Sequence, residues 1–359
     1  MALAELTKNG LSETGSSLDF PRSLPEFQRL FPNEAACASY LESARWMDGF
    51  VCHHCQQHGE PFRFANCPHV LRCRKCEKNT RLTAGTVMEN TRIPLSTWFW
   101  GAYLMTSQTT GISALQFQRQ LGLTRFETAF QILHKLRAGM IRSNQDPIGG
   151  SSVDSVEVDE VYVGGKTRGL GQGKPNQVIV AAAVEVCYRK KPSSLSKRRM
   201  GRFGGSLRLA VVPDRSANSL CGFVREVVKP GTTLITDGLM AYNDLAYRGY
   251  GLNAVPSRGE AMITEEHLPL IHLVFSNLKT WLRGIYHGLS QQHLQAYLNE
   301  FTFRFNRRFY PFNAFCYLLG IAGYSTSPTY DELYSGKWVH PSCMNRKLHG
   351  SLDQIPSIN

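Results

Sequence analysis

The run Val156-Glu157-Val158-Asp159-Glu160-Val161-Tyr162-Val163-Gly164-Gly165 constrains this chain more than any other stretch. β-branched and aromatic residues dominate it, Val156 and Val158 share one face of an extended chain, and the glycine pair supplies the turn where the strand must end. Acids are disfavoured inside strands, because a carboxylate taken out of water needs a partner. A sheet tolerates them best at an open edge of the core where they hold a cation, so Asp159 is expected to ligate a divalent metal ion. Exposed acids on an edge strand are the plainer alternative.

Composition narrows the partners. The chain has 359 residues, which favours two or three domains, and a formal net charge of +12 with a pI near 9.3. An excess of that size favours a polyanion, with nucleic acid ahead of an anionic membrane surface. No uninterrupted apolar run approaches the roughly 18 residues that span a bilayer, and the first ten residues lack the apolar centre of a secretory signal. Of ten cysteines, four sit in two Cys-x-x-Cys pairs, a distribution that suits a reducing compartment and a metal site rather than a disulfide framework.

Residues 1–45 read as a loose leader followed by short helices, with Asn33 as an N-cap. Residues 46–86 read as a zinc ribbon: Cys52, Cys55, Cys73 and Cys76 form two knuckles that can bring four thiolates to the corners of a tetrahedron around a structural Zn²⁺. His53, His54, His58, Cys67 and His69 crowd the same segment as alternative ligands. A ribbon this small folds because the metal binds, not because its core is large.

Residues 92–142 read as helical. Ser96 is the expected N-cap of a helix through Leu104; a second helix ends at Gly122, and Thr124 is the expected cap of a third running past Phe130 and Leu133 to Arg137. The tight turn at Gly122 gives the last two the outline of a helix-turn-helix, which would offer Arg125, Gln131, His134 and Lys135 to DNA; an ordinary helical hairpin has the same outline. Residues 143–153 read as a linker.

From 154 the pattern becomes αβ. After the acid-bearing strand come a basic turn from Lys166 to Lys174, a strand over 178–186, a basic insert over 188–205, a strand over 207–212, a helix over 219–228, and a strand over 232–236 ending at Asp237-Gly238. Three strands, a helix and a fourth strand is the order of a ribonuclease H-like core, in which the first and fourth strands are neighbours. Asp159 would then meet Asp237, and the pair could share two Mg²⁺ ions that handle a phosphodiester. The alternative for Asp237 is a simple Asp-Gly turn.

Several segments together resemble a known family. These are Glu157 through Lys166, Thr236-Asp237-Gly238 with Ala241-Tyr242, Asn277-Leu278-Lys279 with Leu282-Arg283-Gly284, and His293 through Phe301 leading to Arg304-Phe305-Asn306-Arg307-Arg308. They are similar to the insertion-sequence transposases of the IS1595 (ISXO2-like) family, whose zinc ribbon and helix-turn-helix the N-terminal half also resembles. The resemblance implies a DDE-type transposase domain over 154–325, followed by a tail over 326–359. It implies cleavage and transfer of double-stranded DNA at terminal inverted repeats, with Mg²⁺ or Mn²⁺ at Asp159 and Asp237. It further implies a homodimer or higher oligomer in the synaptic complex, no membrane partner, and a bacterial or archaeal cytoplasmic, nucleoid-associated setting.

The position matching the third acid is His272, with Asn277 as the second choice; Glu265 and Glu266 come too early. Lys279 shares a helix face with His272 and is expected at the catalytic centre and on DNA. Glu300, Arg304 and Arg307 form one helical stripe, which the resemblance places near the metals (Glu300) and on the DNA backbone (the arginines); a surface ion-pair row is the plainer alternative. A transposase-derived DNA-binding regulator and a ribonuclease H-like nuclease are the rival functions.

Overall fold

The computed structural model describes residues 21–46, 48–140, 146–151, 153–164, 177–188, 201–255, 267–286, 291–309, 314, 315, 318 and 319. The basic turn at 166–174, most of the basic insert, Glu265, Glu266 and the tail lie outside the described residues. The chain divides into two compact units, with the boundary after Ser107 inside the expected helical region and a return to the first unit after Phe309.

The first unit contains α1 (Leu24–Leu30), α2 (Glu34–Arg45), the antiparallel sheet of β1 (Phe62–Phe64), β2 (Cys67–Arg72) and β3 (Asn79–Arg81), and α3 (Leu95–Ser107). Asn33 caps α2, its Oδ1 accepting from Ala36 N at 3.0 Å. Ser96 does not cap α3, which already begins at Leu95. The Glu34 carboxylate accepts from Leu95 N and Ser96 N, each at 2.8 Å, so an acid from α2 satisfies two of the helix's orphan donors. Phe27, Phe31, Tyr40 and Phe99 form an aromatic core that Phe315 joins from far downstream.

The second unit contains α4 (Ala114–Leu121), α5 (Phe126–Ala138), β4 (Ser155–Gly164), β5 (Gln177–Tyr188), β6 (Arg202–Val212), α6 (Ala217–Val227), β7 (Thr233–Thr236), a 3₁₀ segment (Met240–Arg248), β8 (Gly251–Ala254), α7 (Pro269–Tyr286) and α8 (Leu294–Asn306). It is a mixed α/β unit. Its sheet has the order β6-β5-β4-β7-β8, antiparallel through β6, β5 and β4 and parallel through β4, β7 and β8.

Both faces of the sheet are covered, which is why its strands read as near-continuous apolar runs. Val156, Val158, Ala181, Ala183 and Leu234 pack with Leu220, Phe223 and Val224 of α6. Val180, Ala182, Val184 and Leu209 pack with Ile271, Val274 and Leu278 of α7 and Leu298 of α8. Strand β6 begins five residues before the expected start because Arg202 pairs with Tyr188 across the insert.

Ser113 caps α4, and Gly122 ends it in the left-handed conformation (φ 60°). The N-cap position of α5 is Arg125, not Thr124, and its side chain makes no capping bond. Among the described residues no helix is long and apolar enough to cross a membrane.

Candidate active site

The alternation of β4 sorts its acids. Glu157 and Asp159 share the face of Val161 and Val163, toward α7 and α8, whereas Glu160 shares the α6 face with Val158. Parallel pairing of Val156 with Leu234 and Glu157 with Ile235, carried two residues further, brings Asp237 abreast of Asp159 at the ends of neighbouring strands. One carboxylate oxygen of each of Asp159, Glu160 and Asp237 lies within 4.8 Å of the others. His272, in the first turn of α7, places Nε2 3.4 Å from Asp159 Oδ2.

Backbone donors orient both aspartates: Asp159 Oδ1 accepts from Glu160 N at 2.8 Å, and Asp237 Oδ1 from Leu239 N at 3.0 Å. Burial pushes the Asp237 carboxyl above the usual range, and the charge of Asp159 adds to the effect. Burial likewise raises Glu160, against the Tyr242 hydroxyl, which donates to Oε2 at 2.6 Å, and Arg215, whose Nε donates to Oε1 at 2.8 Å. Three crowded, partly desolvated carboxylates are electrostatically unfavourable alone and suit a hard divalent cation with oxygen ligands. Because both Glu160 oxygens already accept hydrogen bonds, Asp159 and Asp237 are the better donors.

Sequence reasoning passed over three residues here. Glu160 was visible only as the acid next to Asp159, and Tyr242 only within a motif. Arg215, in the loop before α6, carried no local signal.

The other expected site residues are dispersed. Lys279 is half-buried two turns along α7, and Asn277 is exposed. Glu300 does not join the acids: it is fully buried on α8, where Oε2 accepts from Arg137 Nε of α5 at 2.8 Å and Oε1 lies 3.4 Å from Arg304 Nη1. Its carboxylate answers a buried guanidinium.

Arg304 donates to the Gln108 and Thr109 carbonyls, and Arg307 lies 4.0 Å over the Phe303 ring; both serve contacts within the chain. On α5, Arg125 is exposed, but His134 is buried against Phe130 and Tyr297, and burial lowers the Lys135 ammonium pKa. The C-terminal half of this helix is largely buried, with Lys135 half-buried.

In the first unit the four paired cysteines converge. Cys52 Sγ lies 3.6 Å from Cys76 Sγ, and Cys55 Sγ lies 3.6 Å from Cys73 Sγ. Tetrahedral zinc–thiolate bonds of about 2.3 Å separate sulfurs by about 3.8 Å, so the spacing fits Zn²⁺ and is far beyond a disulfide. His54 N points to Cys52 Sγ and Lys75 N to Cys73 Sγ, both at 3.4 Å, repeating one knuckle geometry. Backbone donors, that of Cys76 first, lower the Cys73 thiol to about 6. The neighbouring histidines and Cys67 are not part of the cluster.

A four-thiolate ribbon in one unit and a strand-end acid cluster in a mixed sheet in the other describe a zinc-ribbon α/β protein with a candidate divalent-metal centre. The ISXO2-like transposase domain matches residues 152–306, and the transposase zinc-ribbon domain matches residues 32–79, together more than half of the chain. The chain belongs to the IS1595 (ISXO2-like) transposase family. It is 23% identical over 298 residues to an uncharacterized protein in transposable element ISH50 of Halobacterium salinarum, covering 77% of this chain and 92% of the relative. No solved structure matches it.

Proposed function

We propose that this protein is the DNA transposase of an insertion sequence, binding the element's terminal inverted repeats and catalysing metal-dependent strand cleavage and strand transfer on a ribonuclease H-like core. The observation that carries this reading is the side-by-side placement of Asp159 and Asp237 at the ends of parallel neighbours β4 and β7. The strand order and orientation support the core assignment.

Asp159 and Asp237 would hold the divalent cations, which supply charge neutralisation at a phosphodiester and a more acidic attacking hydroxyl. Backbone bonds to both carboxylates hold them ready without reorganisation. His272 Nε2, beside Asp159, orients a water or a phosphate oxygen, and Lys279 on the same helix offers a cation to the DNA backbone. The net charge of +12 favours double-stranded DNA, with the exposed N-terminal end of α5 at Arg125 as one contact. Two DNA ends handled together call for a homodimer or larger synapse. DNA as substrate places the protein on the nucleoid of a bacterial or archaeal cytoplasm.

The test incubates purified protein with end-repeat DNA and Mg²⁺ or Mn²⁺. Wild type should nick the repeat end and join it to target; Asp159→Ala and Asp237→Ala should do neither, and His272→Ala should be strongly impaired. Imidazole in place of a third carboxylate favours one second reading, a DNA-binding regulator that has lost catalysis. Repeat binding without cleavage by wild type under either metal would establish it. Cleavage without joining would indicate a nuclease.

A further inference from the structure

We infer that Glu157 is a positioning residue for this site: its buried carboxylate fixes the first turn of α7 and thereby sets His272 beside Asp159. The inference deepens the proposed function and rests on it for the role of His272.

Glu157 is fully buried in β4, on the sheet face covered by α7 and α8. A carboxylate there is costly unless its oxygens are answered, and burial accordingly raises its pKa. Both oxygens are answered. Oε2 accepts from Ile271 N at 2.8 Å, and Oε1 accepts from Arg202 Nη2 at 2.8 Å, with Leu270 contributing a further backbone hydrogen bond.

Helix α7 begins at Pro269 and has no acid in its first turn. First-turn N–H groups have no intrahelical acceptor, and a carboxylate complements them and the helix dipole. Glu157 supplies that acceptor from another element.

Register then does the rest. Glu157 and Asp159 are two apart on one side of β4, roughly 7 Å along the strand. Ile271 and His272 are consecutive on α7. The contact from Glu157 to Ile271 therefore carries His272 to Asp159, where the Nε2–Oδ2 distance of 3.4 Å is too long to hold a helix alone. Glu157 is not a ligand itself: it stands outside the acid cluster, and its oxygens are committed.

The experiment uses the full chain with Glu157→Gln, Glu157→Leu, His272→Ala and the Leu/Ala double variant. Three quantities are read: amide hydrogen exchange over residues 268–275 and over β4 and β5, Mn²⁺ affinity by electron paramagnetic resonance, and single-turnover cleavage of end-repeat DNA. Glu157→Gln keeps an acceptor oxygen for Ile271 N while turning its NH2 toward Arg202, and should exchange over 268–275 much closer to wild type than Glu157→Leu does. Glu157→Leu should exchange about tenfold faster over 268–275, as loss of a helix cap does, with β4 and β5 unchanged.

Mn²⁺ affinity and cleavage should fall in Glu157→Leu to the level of His272→Ala, and the double variant should be no worse. Unchanged exchange in α7, or effects of the two substitutions that multiply, would overturn the inference. If Glu157→Leu does not fold, Glu157→Asp, one methylene too short to reach Ile271, should show the same faster exchange and the same non-additivity. Wild-type Mn²⁺ binding and cleavage by His272→Ala would overturn the role of His272, while exchange over 268–275 would still decide whether Glu157 holds the helix.

Discussion

Arg137 on α5 and Glu300 on α8 form an ion pair, Nε to Oε2 2.8 Å, with side chains only 2% and 0% exposed. The Arg137 guanidinium also lies 4.4 Å over the Tyr297 ring, and Tyr286 donates toward Glu300 Oε2 at 3.4 Å. The contact joins the last turns of α5 to the helix that closes one face of the sheet. Removing either partner strands a buried charge, so Arg137→Ala or Glu300→Ala should cost about 3–5 kcal/mol. Arg137→Met with Glu300→Leu should recover most of that loss in urea denaturation and retain cleavage of end-repeat DNA, the second of which a metal-liganding Glu300 would not allow.

Tyr242 ties the segment after Asp237 to the residue after Asp159. Tyr242→Phe removes the donor to Glu160 and should lower stability by about 1–3 kcal/mol, because a buried carboxylate oxygen loses its bond. The hydroxyl lowers the Glu160 pKa, so the same substitution should move that carboxyl further upward, visible by carboxyl-selective NMR.

Burial of the acid cluster, with the charge of Asp159 adding to it, has a definite pH signature. Asp237 and Glu160 have folded-state pKa values above their unfolded ones. Their contribution to stability is therefore fully present below the unfolded carboxylate pKa and is lost as pH rises through the raised values. A divalent cation favours the charged forms, so Mn²⁺ should raise the melting temperature more at pH 8 than at pH 5. At about a hundredfold excess over Kd the gain should approach about 2.7 kcal/mol. Asp159→Ala and Asp237→Ala should each abolish the pH 8 shift seen by calorimetry.

Zinc should be stoichiometric and structural. One Zn²⁺ per chain is expected by elemental analysis, reduced to none in Cys73→Ser. Hydrogen exchange over residues 48–82 should rise toward the unprotected rate when the metal is removed, since the ribbon's folding energy is its metal-binding energy.

What was legible in the sequence is what local pattern controls. The valine run gave its strand away through period and propensity, the cysteine pairs through spacing, and the neighbouring of β4 and β7 through element order. The remainder depended on partners distant in sequence. Glu34 caps a helix that begins 61 residues later, and Arg137 reaches Glu300 across 163 residues. The spacing of Glu300, Arg304 and Arg307 marks one helix face but not whether that face is wet, so the burial of Glu300 and its pairing with Arg137 could not be read from it. The burial of His134 was hidden in the same way, since polar residues on a short helix look exposed until a second helix covers them.

The central claim, that Asp159 and Asp237 together hold the catalytic cation, is tested most directly by anomalous X-ray scattering at the manganese edge from crystals grown with Mn²⁺ and end-repeat DNA. A manganese peak about 2.1 Å from a carboxylate oxygen of both residues is the result expected of a hard-cation site. Manganese bound elsewhere, or contacting one aspartate without the other, would contradict it.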